Sequence, residues 1–452
     1  MTATATVGAT ATVGATARTA DVAGAVAFPP WLPKAVVACF LAASFTSTWG
    51  GVYLFKLQSA DIFLFLTVGM VLAMVILGNL RFAIPRWLWA PAVVLFACVA
   101  AQVYHPIPDS TFALRFEYST AIGEDSGVKS AFWIIALLAV PIAAIACTAL
   151  ESRMPRWIVA CYLAGVAVCS LVALTDLLGF TQISRYLGYQ YDAQRQTGLS
   201  DHPNSVGVFC AIAAPFAVYF ISASRHRWLP CTALVLLCGG IVASGSRGAQ
   251  AIFPAAILAS ALISPHKKKV TGWLAGTLTV AVVGGLIALT EAKPNVLDKL
   301  FRFDGGEKGS SMDSNAERAM LHAQALDDLK THPIFGIGIK HINEAHNIYL
   351  QMMSAGGCIL LAGMLIYWFG ALHSSWLSAR SGARLAPHLM VSVTVWLVVG
   401  LLENQLTDRY LYYTIGVVAA IAATCRTETL PRQPLARTTR PGTAIVANGR
   451  AR

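Results

Sequence analysis

Three side chains in the polar segments of this largely apolar chain could act together on one ligand. Arg247 lies in the segment SGSRGAQ, Arg318 lies in a longer polar segment, and His346 directly precedes an apolar stretch. A guanidinium is always charged and binds a phosphate group through two parallel hydrogen bonds. An imidazole, with an ordinary pKa of about 6.5, can take a proton from a hydroxyl. The three residue types are suited to holding an anionic group and activating a hydroxyl.

Each of these side chains also has a structural explanation. Arg247 could anchor a helix end at the lipid headgroups, because an arginine within a bilayer costs at least about 2.5 kcal/mol unless it reaches the interface or an anionic partner. Arg318 could be a solvated charge, and His346 could be a polar residue at a helix end. Asp176 and Glu403, near the ends of apolar stretches, are candidate partners of the arginines.

The polar segment around Arg318 predicts a helix from about residue 315 to residue 330. Ser314 and Glu317 have the spacing of a capping box, which would make Ser314 the N-cap. On this helix His322 lies one turn after Arg318 and therefore on the same face.

The chain is expected to turn tightly after this helix and then to enter the next apolar stretch. Pro333, Gly336 and Gly338 are residues that end helices and form turns. Asn347 is the predicted N-cap of the next helix. His346 is therefore expected at the membrane surface, at the opening of the space that the helices enclose.

The elements that carry these residues are predicted to be membrane-spanning helices. Hydrophobic residues make up 56% of the 452 residues and charged residues 12%, whereas an average soluble domain has about twice that charged fraction. Twelve apolar stretches have roughly the length of a bilayer core, which predicts an all-α, polytopic membrane protein. The stretches are Pro33–Phe55, Asp61–Leu80, Trp87–Val103, Ala131–Leu150, Trp157–Leu178, Val206–Ala223, Trp228–Ser244, Ala251–Ser264, Thr271–Thr290, Ile348–Leu372, His388–Leu402 and Leu411–Cys425.

The loop charges predict the orientation of these helices. Short basic loops alternate with loops that carry nearly all the acidic residues, and basic loops stay in the cytoplasm during insertion. Both termini are therefore expected in the cytoplasm. Residues 1–30 and 426–452 are predicted to be disordered tails, and residues 31–425 the membrane domain, with a large outer loop at 291–347 inserted in it.

Composition also excludes some classes of protein. The net charge of +11 resides mostly in short loops and in the C-terminal tail, where it faces anionic lipid, so nucleic acid is not an expected partner. The ten cysteines lie within or at the edges of the apolar stretches, which indicates neither a disulfide framework nor a metal site.

The joint pattern resembles the bacterial O-antigen ligase and polysaccharide polymerase family. The matching pieces are TGLSDHPNSVG (197–207), SGSRGA (244–249), Arg318 followed by Ala325, Pro333, Gly336 and Gly338, and HNIYL (346–350). The position four residues after Arg318 departs from the family pattern, which often has a large aromatic residue where this chain has His322.

The resemblance implies a GT-C-like membrane glycosyltransferase in the bacterial inner membrane, with its site facing the periplasm. The donor would be a glycan on undecaprenyl diphosphate, and the acceptor a hydroxyl of lipid A–core or of another glycan. Catalysis would invert the anomeric centre and need neither a metal nor a cofactor. His346, Arg247 and Arg318 are the predicted catalytic residues. The predicted substrate contacts are Arg195, His202, Asn204, His322, Asn347 and Tyr349.

Other functions stay open at this point. Polymerisation of repeat units shares the donor chemistry, and transfer to a protein hydroxyl is a further option. A transporter or lipid flippase would be a different class, but such proteins usually carry charged residues in the middle of their spans.

Overall fold

The computed structural model describes most of the chain between residues 29 and 429. The described parts are 29–55, 57–78, 80–105, 126–187, 195–291, 310–338, 345–404, 406 and 408–429. The strands found there form one short antiparallel hairpin, β1 (Tyr53–Leu54) and β2 (Leu57–Gln58). The helices are α1 (Trp31–Thr46), α2 (Ser59–Ile76), α3 (Ala90–Tyr104), α4 (Ser126–Leu150), α5 (Met154–Leu177), α6 (Ile183–Tyr186), α7 (Pro203–Ala223), α8 (Trp228–Ser244), α9 (Arg247–Ile263), α10 (Lys267–Glu291), α11 (Ser310–Thr331), α12 (Ile348–Arg380), α13 (Ala386–Val399) and α14 (Tyr410–Thr429).

The all-α polytopic membrane architecture is confirmed. Within the described residues, 6 helices are long and apolar enough to cross a membrane. They are α2, α3 with the 3-10 turn before it, the apolar part of α4, α5, α7 and α12. The apolar helices α1, α8, α9, α13 and most of α14 are shorter, with 10–17 residues. Each of the predicted apolar stretches contains a helix, because a helix pairs its backbone polar groups within one segment.

The first predicted span is too long, because α1 ends at Thr46 and not at Phe55. Beyond this end the backbone N–H of Gly51 donates to the carbonyl of Leu199 at 2.9 Å. A side chain at Gly51 would meet the Ser200 carbonyl oxygen at 2.8 Å. The chain therefore leaves the helix to pair with the segment before α7, and a β-hairpin follows.

Helix α7 forms the centre of the bundle. Almost all its residues are buried, and it packs against α5, α8, α9 and α13. The Ser392 hydroxyl of α13 donates to the carbonyl of Ile212 at 2.9 Å. The residues directly before α7 are consequently held at the middle of one end of the bundle.

The helix in the large loop is longer at its N-terminus than predicted. Helix α11 begins at Ser310, so Ser314 lies inside it and the predicted N-cap at Ser314 is wrong. Serine and aspartate also precede Ser314, and both are favoured in a first helical turn.

The predicted cap of α12 is confirmed, since the Asn347 side chain accepts from the N–H groups of Tyr349 and Leu350 at 3.0 and 3.1 Å.

Several predicted features lie outside the described residues. They include residues 1–28 and 430–452 of the tails, most of the acidic segment 105–130, and residues 292–309 and 339–344 of the large loop. Helix α14 continues to Thr429, into the segment predicted as a tail.

An ion pair between the buried Asp61 and the half-buried Arg409 joins the start of α2 to the start of α14, and its loss should destabilise the protein. Arg409 pairs with Asp61 and donates to the Gln58 side chain. We expect Arg409→Met to cost about 3–5 kcal/mol, because it leaves the buried Asp61 carboxylate unpaired. The midpoint of thermal unfolding in detergent measures this loss. An Asp61→Leu/Arg409→Met double variant serves as the control and should recover much of it, whereas a single variant as stable as the wild type would contradict the role of the pair.

Candidate active site

Four segments meet at the end of the bundle where α7 begins. They are the segment before α7, the loop helix α11, the turn before α12 and the segment after α13. The charge of Arg318 on α11 acts on His202, His346 and Glu403, which belong to the other three segments. The structure therefore brings two of the predicted catalytic residues, Arg318 and His346, into electrostatic range of each other.

His346 has an unusual backbone and a neutral side chain. Its φ of 46° lies in the left-handed region, which costs a residue with a side chain roughly 1–3 kcal/mol and is frequent at functional sites. Burial first, and then the charges of Arg318 and His322, lower the pKa of His346 to about 4. The imidazole is consequently neutral at pH 7, with a lone pair on one of its ring nitrogen atoms.

Buried nitrogen atoms around His346 lack hydrogen-bond partners among the described residues. They are Nδ1 of His346, Nε of Arg318 and Nε2 of His322. Buried polar atoms are almost always paired in folded proteins, with protein groups, water or a ligand. Arg318 and His322, one turn apart on α11 as predicted, thus present polar nitrogen atoms that a ligand with acceptor oxygens would satisfy.

A hydrogen-bonded network joins the segment before α7 to the segment after α13 at this site. Arg195 donates to the side-chain oxygen of Asn204 and, through Nε, to the carbonyl of Ser244 at 2.9 Å. The Asn204 amide donates to Oε2 of Glu403 at 2.8 Å. His202 caps α7 by accepting the Asn204 N–H at Nδ1 at 3.0 Å, which leaves Nε2 to carry the ring proton.

Two titratable groups of this hydrogen-bonded network, His202 and Glu403, have pKa values far from their ordinary values. Burial, aided by the charges of Arg195, His346 and Arg318, lowers the pKa of His202 to about 4. Burial raises the pKa of Glu403 to about 7, against the charge of Arg318, the hydrogen bond from Asn204 and the charge of Arg195. Glu403 is thus a carboxyl group that changes charge near neutral pH.

Arg247 occupies the first position of α9 with an exposed side chain. The preceding Gly245 has φ 61°, and a side chain there would lie 3.5 Å from the side chain of Arg195. The SGSRGAQ turn therefore contacts the segment before α7, and it presents Arg247 to solvent. Its assignment as a phosphate ligand stays a prediction.

Asn347 and Tyr349 make contacts that serve the architecture. The Asn347 oxygen caps α12, and its amide donates to the carbonyl of Leu401 at 3.3 Å. The Tyr349 hydroxyl donates to the carbonyl of Leu397 at 2.7 Å, inside the interface of α12 with α13. Their assignment as substrate contacts stays a prediction.

The two candidate carboxylate partners of the arginines have different positions. Glu403 faces Arg318 and Arg195, and the sequence signal for it was a lone acid at the edge of an apolar stretch. Asp176 instead accepts from the backbone N–H groups of Ile183 and Ser184 at 2.9 and 2.8 Å. Asp176 thus caps the short helix α6, and among the described residues its carboxylate bonds to this segment and not to an arginine, contrary to its candidate role.

Among the described residues, no group of three or more His, Cys, Asp or Glu side chains is arranged to hold a metal ion. Fold and site together define an all-α, polytopic membrane protein with an arginine- and histidine-lined site at one end of the bundle.

Comparison with known proteins narrows this class. The family model for O-antigen ligase matches residues 232–367, a range that contains Arg247, Arg318 and His346. The chain is also similar to an O-antigen ligase of Pseudomonas aeruginosa, with 30% identity over 233 residues that cover 48% of this chain and 52% of that protein. It thus spans about half the length of this curated relative. These matches show that the chain is similar to O-antigen ligases and confirm the resemblance seen in the sequence.

The lowered pKa of His346 predicts a contribution to stability that depends on pH. The unfolded imidazole has an ordinary pKa of about 6.5 and the folded one about 4, so the contribution is complete above pH 6.5 and is lost as the pH falls through this window. Glu403, with a raised pKa, acts in the opposite direction between about 4.5 and 7. We therefore expect thermal stability in His346→Asn to fall less between pH 7 and pH 4.5 than in the wild type.

Thermal midpoints measured across this range provide the test, with His105→Asn, at an exposed position, as the control. The thermal midpoint of the control should change with pH as that of the wild type does. A His346→Asn profile parallel to that of the wild type would show that His346 is not held neutral by its surroundings.

Proposed function

We propose that this protein is an O-antigen ligase-like glycosyltransferase of the bacterial inner membrane. It transfers a glycan from undecaprenyl diphosphate to a hydroxyl of lipid A–core, or of a similar acceptor, at the periplasmic face. The observation that carries the proposal is the half-buried cluster of Arg318 and His346, in which Nε of Arg318 and Nδ1 of His346 are buried and lack partners among the described residues. The similarity to O-antigen ligases supports the choice of substrate class.

The arginines account for the leaving group. When the bond between the sugar and the diphosphate breaks, the departing oxygen keeps the electron pair and the diphosphate gains negative charge. A fixed donor aimed at such charge is worth about 3–4 kcal/mol in a dry site. Arg318 is half-buried, and its Nε has no partner among the residues that the structure describes, so it is the proposed internal donor; the exposed Arg247 is the proposed outer one.

His346 accounts for the acceptor. As the acceptor oxygen forms a bond to the anomeric carbon, its proton passes to the neutral imidazole. Base catalysis of this kind contributes roughly 10²–10⁴ in rate. Attack in line with the departing oxygen inverts the anomeric centre, and the arginines supply the charge that a metal ion would otherwise supply.

Glu403 completes the electrostatics of the proposed reaction. The imidazolium formed at His346 would lie beside Arg318, where two positive charges repel each other. An ionised Glu403, tied to Asn204 and facing Arg318, offsets this repulsion and keeps the charged state accessible. The proposed roles are therefore base for His346 and charge compensation for Glu403.

Deletion of the gene and complementation with His346→Ala test the function. We expect deletion to remove long glycans from lipid A–core while undecaprenyl-linked polymer accumulates. The His346→Ala protein should insert normally but fail to restore the glycans, because no other group takes the proton. Immunoblots of the membrane fraction and gels of the surface glycans measure both outcomes.

His105→Ala, at an exposed position at the end of α3, is the matched control and should restore the glycans. Accumulation of single repeat units would replace the ligase assignment with a polymerase of the same family. Unchanged glycans after deletion would favour a transporter or flippase.

The pKa of Glu403 predicts how the transfer rate depends on pH. A carboxyl group with a pKa of about 7 is mostly protonated at pH 6 and mostly ionised at pH 8. If the ionised form is needed, the rate should rise roughly tenfold over this range. Glu403→Gln should be slow and lack this rise, as measured with purified protein and a fixed donor concentration.

Glu151→Gln is a suitable control, because Glu151 lies in a basic loop distant from the site in sequence and accepts the N–H of Arg153 at 3.1 Å. Its pH profile should match that of the wild type. A Glu403→Gln protein with the wild-type profile would remove the proposed charge compensation.

A further inference from the structure

Helix α12 is interrupted in its first third. Gly357 has φ 63° and ψ −163°, a backbone conformation that is essentially restricted to glycine. Gly356 and Gly357 are both buried, so the backbone groups freed by this break cannot turn to water. Buried backbone groups without partners cost about 1–3 kcal/mol each, which means that another part of the chain has to pair with them.

The segment that fills the break is 333–338, which we term the docking segment. On one side of the break it accepts hydrogen bonds from α12, and on the other side it donates to α12. The bonds run from Cys358 N to Pro333 O at 2.8 Å, from Ile359 N to Ile334 O at 3.4 Å, from Ile337 N to Ser354 O at 2.8 Å, and from Gly338 N to Ala355 O at 3.0 Å. The docking segment thus replaces the helical partners that the break removes.

Two glycines allow the backbones to approach this closely. A side chain at Gly357 would lie 2.2 Å from the carbonyl oxygen of Ile334, and one at Gly336 would lie 2.5 Å from the backbone of Ala355. Gly336 also has φ 65°, as its predicted role in a tight turn requires. Because the clashing atoms belong to the backbone, they cannot rotate away as a flexible side chain could.

A side-chain contact next to the break ties α11 to α12. The hydroxyl of Ser354 donates to Oδ2 of Asp328 at 2.5 Å, and both residues are buried. Asp328 lies on α11 three turns after Arg318, and the docking segment follows directly after the end of α11. The end of α11 opposite to Arg318 is therefore fixed on α12 by side chains and by backbone.

This attachment controls the position of Arg318 relative to His346. Arg318 lies about 15 Å along α11 from Asp328, at 1.5 Å per residue. A tilt of about 5° at the attachment would move Arg318 by on the order of 1 Å, and a misplacement of that size can cost ~100-fold in rate. His346 belongs to the other partner, since it directly precedes Asn347, the cap of α12.

We propose that Gly336 and Gly357 are positioning residues, which dock α11 into the break of α12 and thereby hold Arg318 beside His346. The proposal rests on the proposed function only for its effect on transfer. The two glycines act through Arg318 and His346, and neither glycine touches the reacting groups.

The test replaces each glycine by alanine and measures transfer and histidine reactivity. We expect Gly357→Ala and Gly336→Ala to lower kcat at least about tenfold, with a smaller change in KM, because the clash displaces α11. Modification of His346 by diethyl pyrocarbonate, located by mass spectrometry, should become faster as Arg318 moves away. Modification of His388, which is buried against Ser260 elsewhere in the bundle, should stay slow and report an intact fold.

Gly179→Ala and Gly382→Ala are the matched controls, because both glycines have positive φ, at 79° and 95°, and open space around them. They should keep the wild-type kcat and His346 reactivity. Glycine variants at 336 and 357 that also keep both would overturn the proposal.

Ser354→Ala keeps the proposal testable if the glycine variants fail to fold and His388 becomes reactive. This substitution removes the hydroxyl that donates a hydrogen bond to Asp328, and it leaves the backbone of the break intact. We expect a lower kcat and faster modification of His346, and wild-type values of both would overturn the positioning role. Because histidine modification does not depend on transfer, a wild type without transfer activity would contradict the proposed function and leave the positioning test valid.

Discussion

The structure depends on one constraint: a backbone polar group that leaves water has to be paired. In hydrocarbon this requirement permits helices, and it accounts for the bundle. The same requirement decides what happens where a helix stops. The N–H of Ile348 at the start of α12 donates to the carbonyl of Gly400 at 2.8 Å, and the break at Gly357 is closed by residues 333–338. The ends and breaks of helices are therefore the places where distant segments are joined, and the candidate site is built from such ends.

The site combines this pairing with an excess of positive charge in a buried space. Burial, and after it the charge of Arg318, keeps His202 and His346 neutral, and burial also holds Glu403 partly protonated near neutral pH. Each of these charge states is set by its neighbours, since the same groups in water would titrate at their ordinary values. Such a cluster is costly in the absence of a ligand and is well matched to an anion, which is consistent with a diphosphate donor in the proposed reaction.

Local signals in the sequence were sufficient for much of the fold. The apolar stretches predicted the helices, the Asn347 side chain predicted the start of α12, and Gly336 predicted a tight turn, in which it has a positive φ. Errors arose where a distant segment competed with local preference. Helix α1 ends early because the chain beyond it pairs with Leu199, and Asp176 caps α6 although an acid at a span end also suited an arginine.

The sequence by itself determined that this is a helical membrane protein and which residue types could carry its chemistry, because hydrophobic length, charge and side-chain type are local properties. The tertiary structure alone decided which of those residues meet. It placed Glu403 with Asn204 and Arg318, left Arg247 exposed, and used Tyr349 in a helix interface. These outcomes depend on packing and on burial, which arise only when segments distant in the sequence fold against one another.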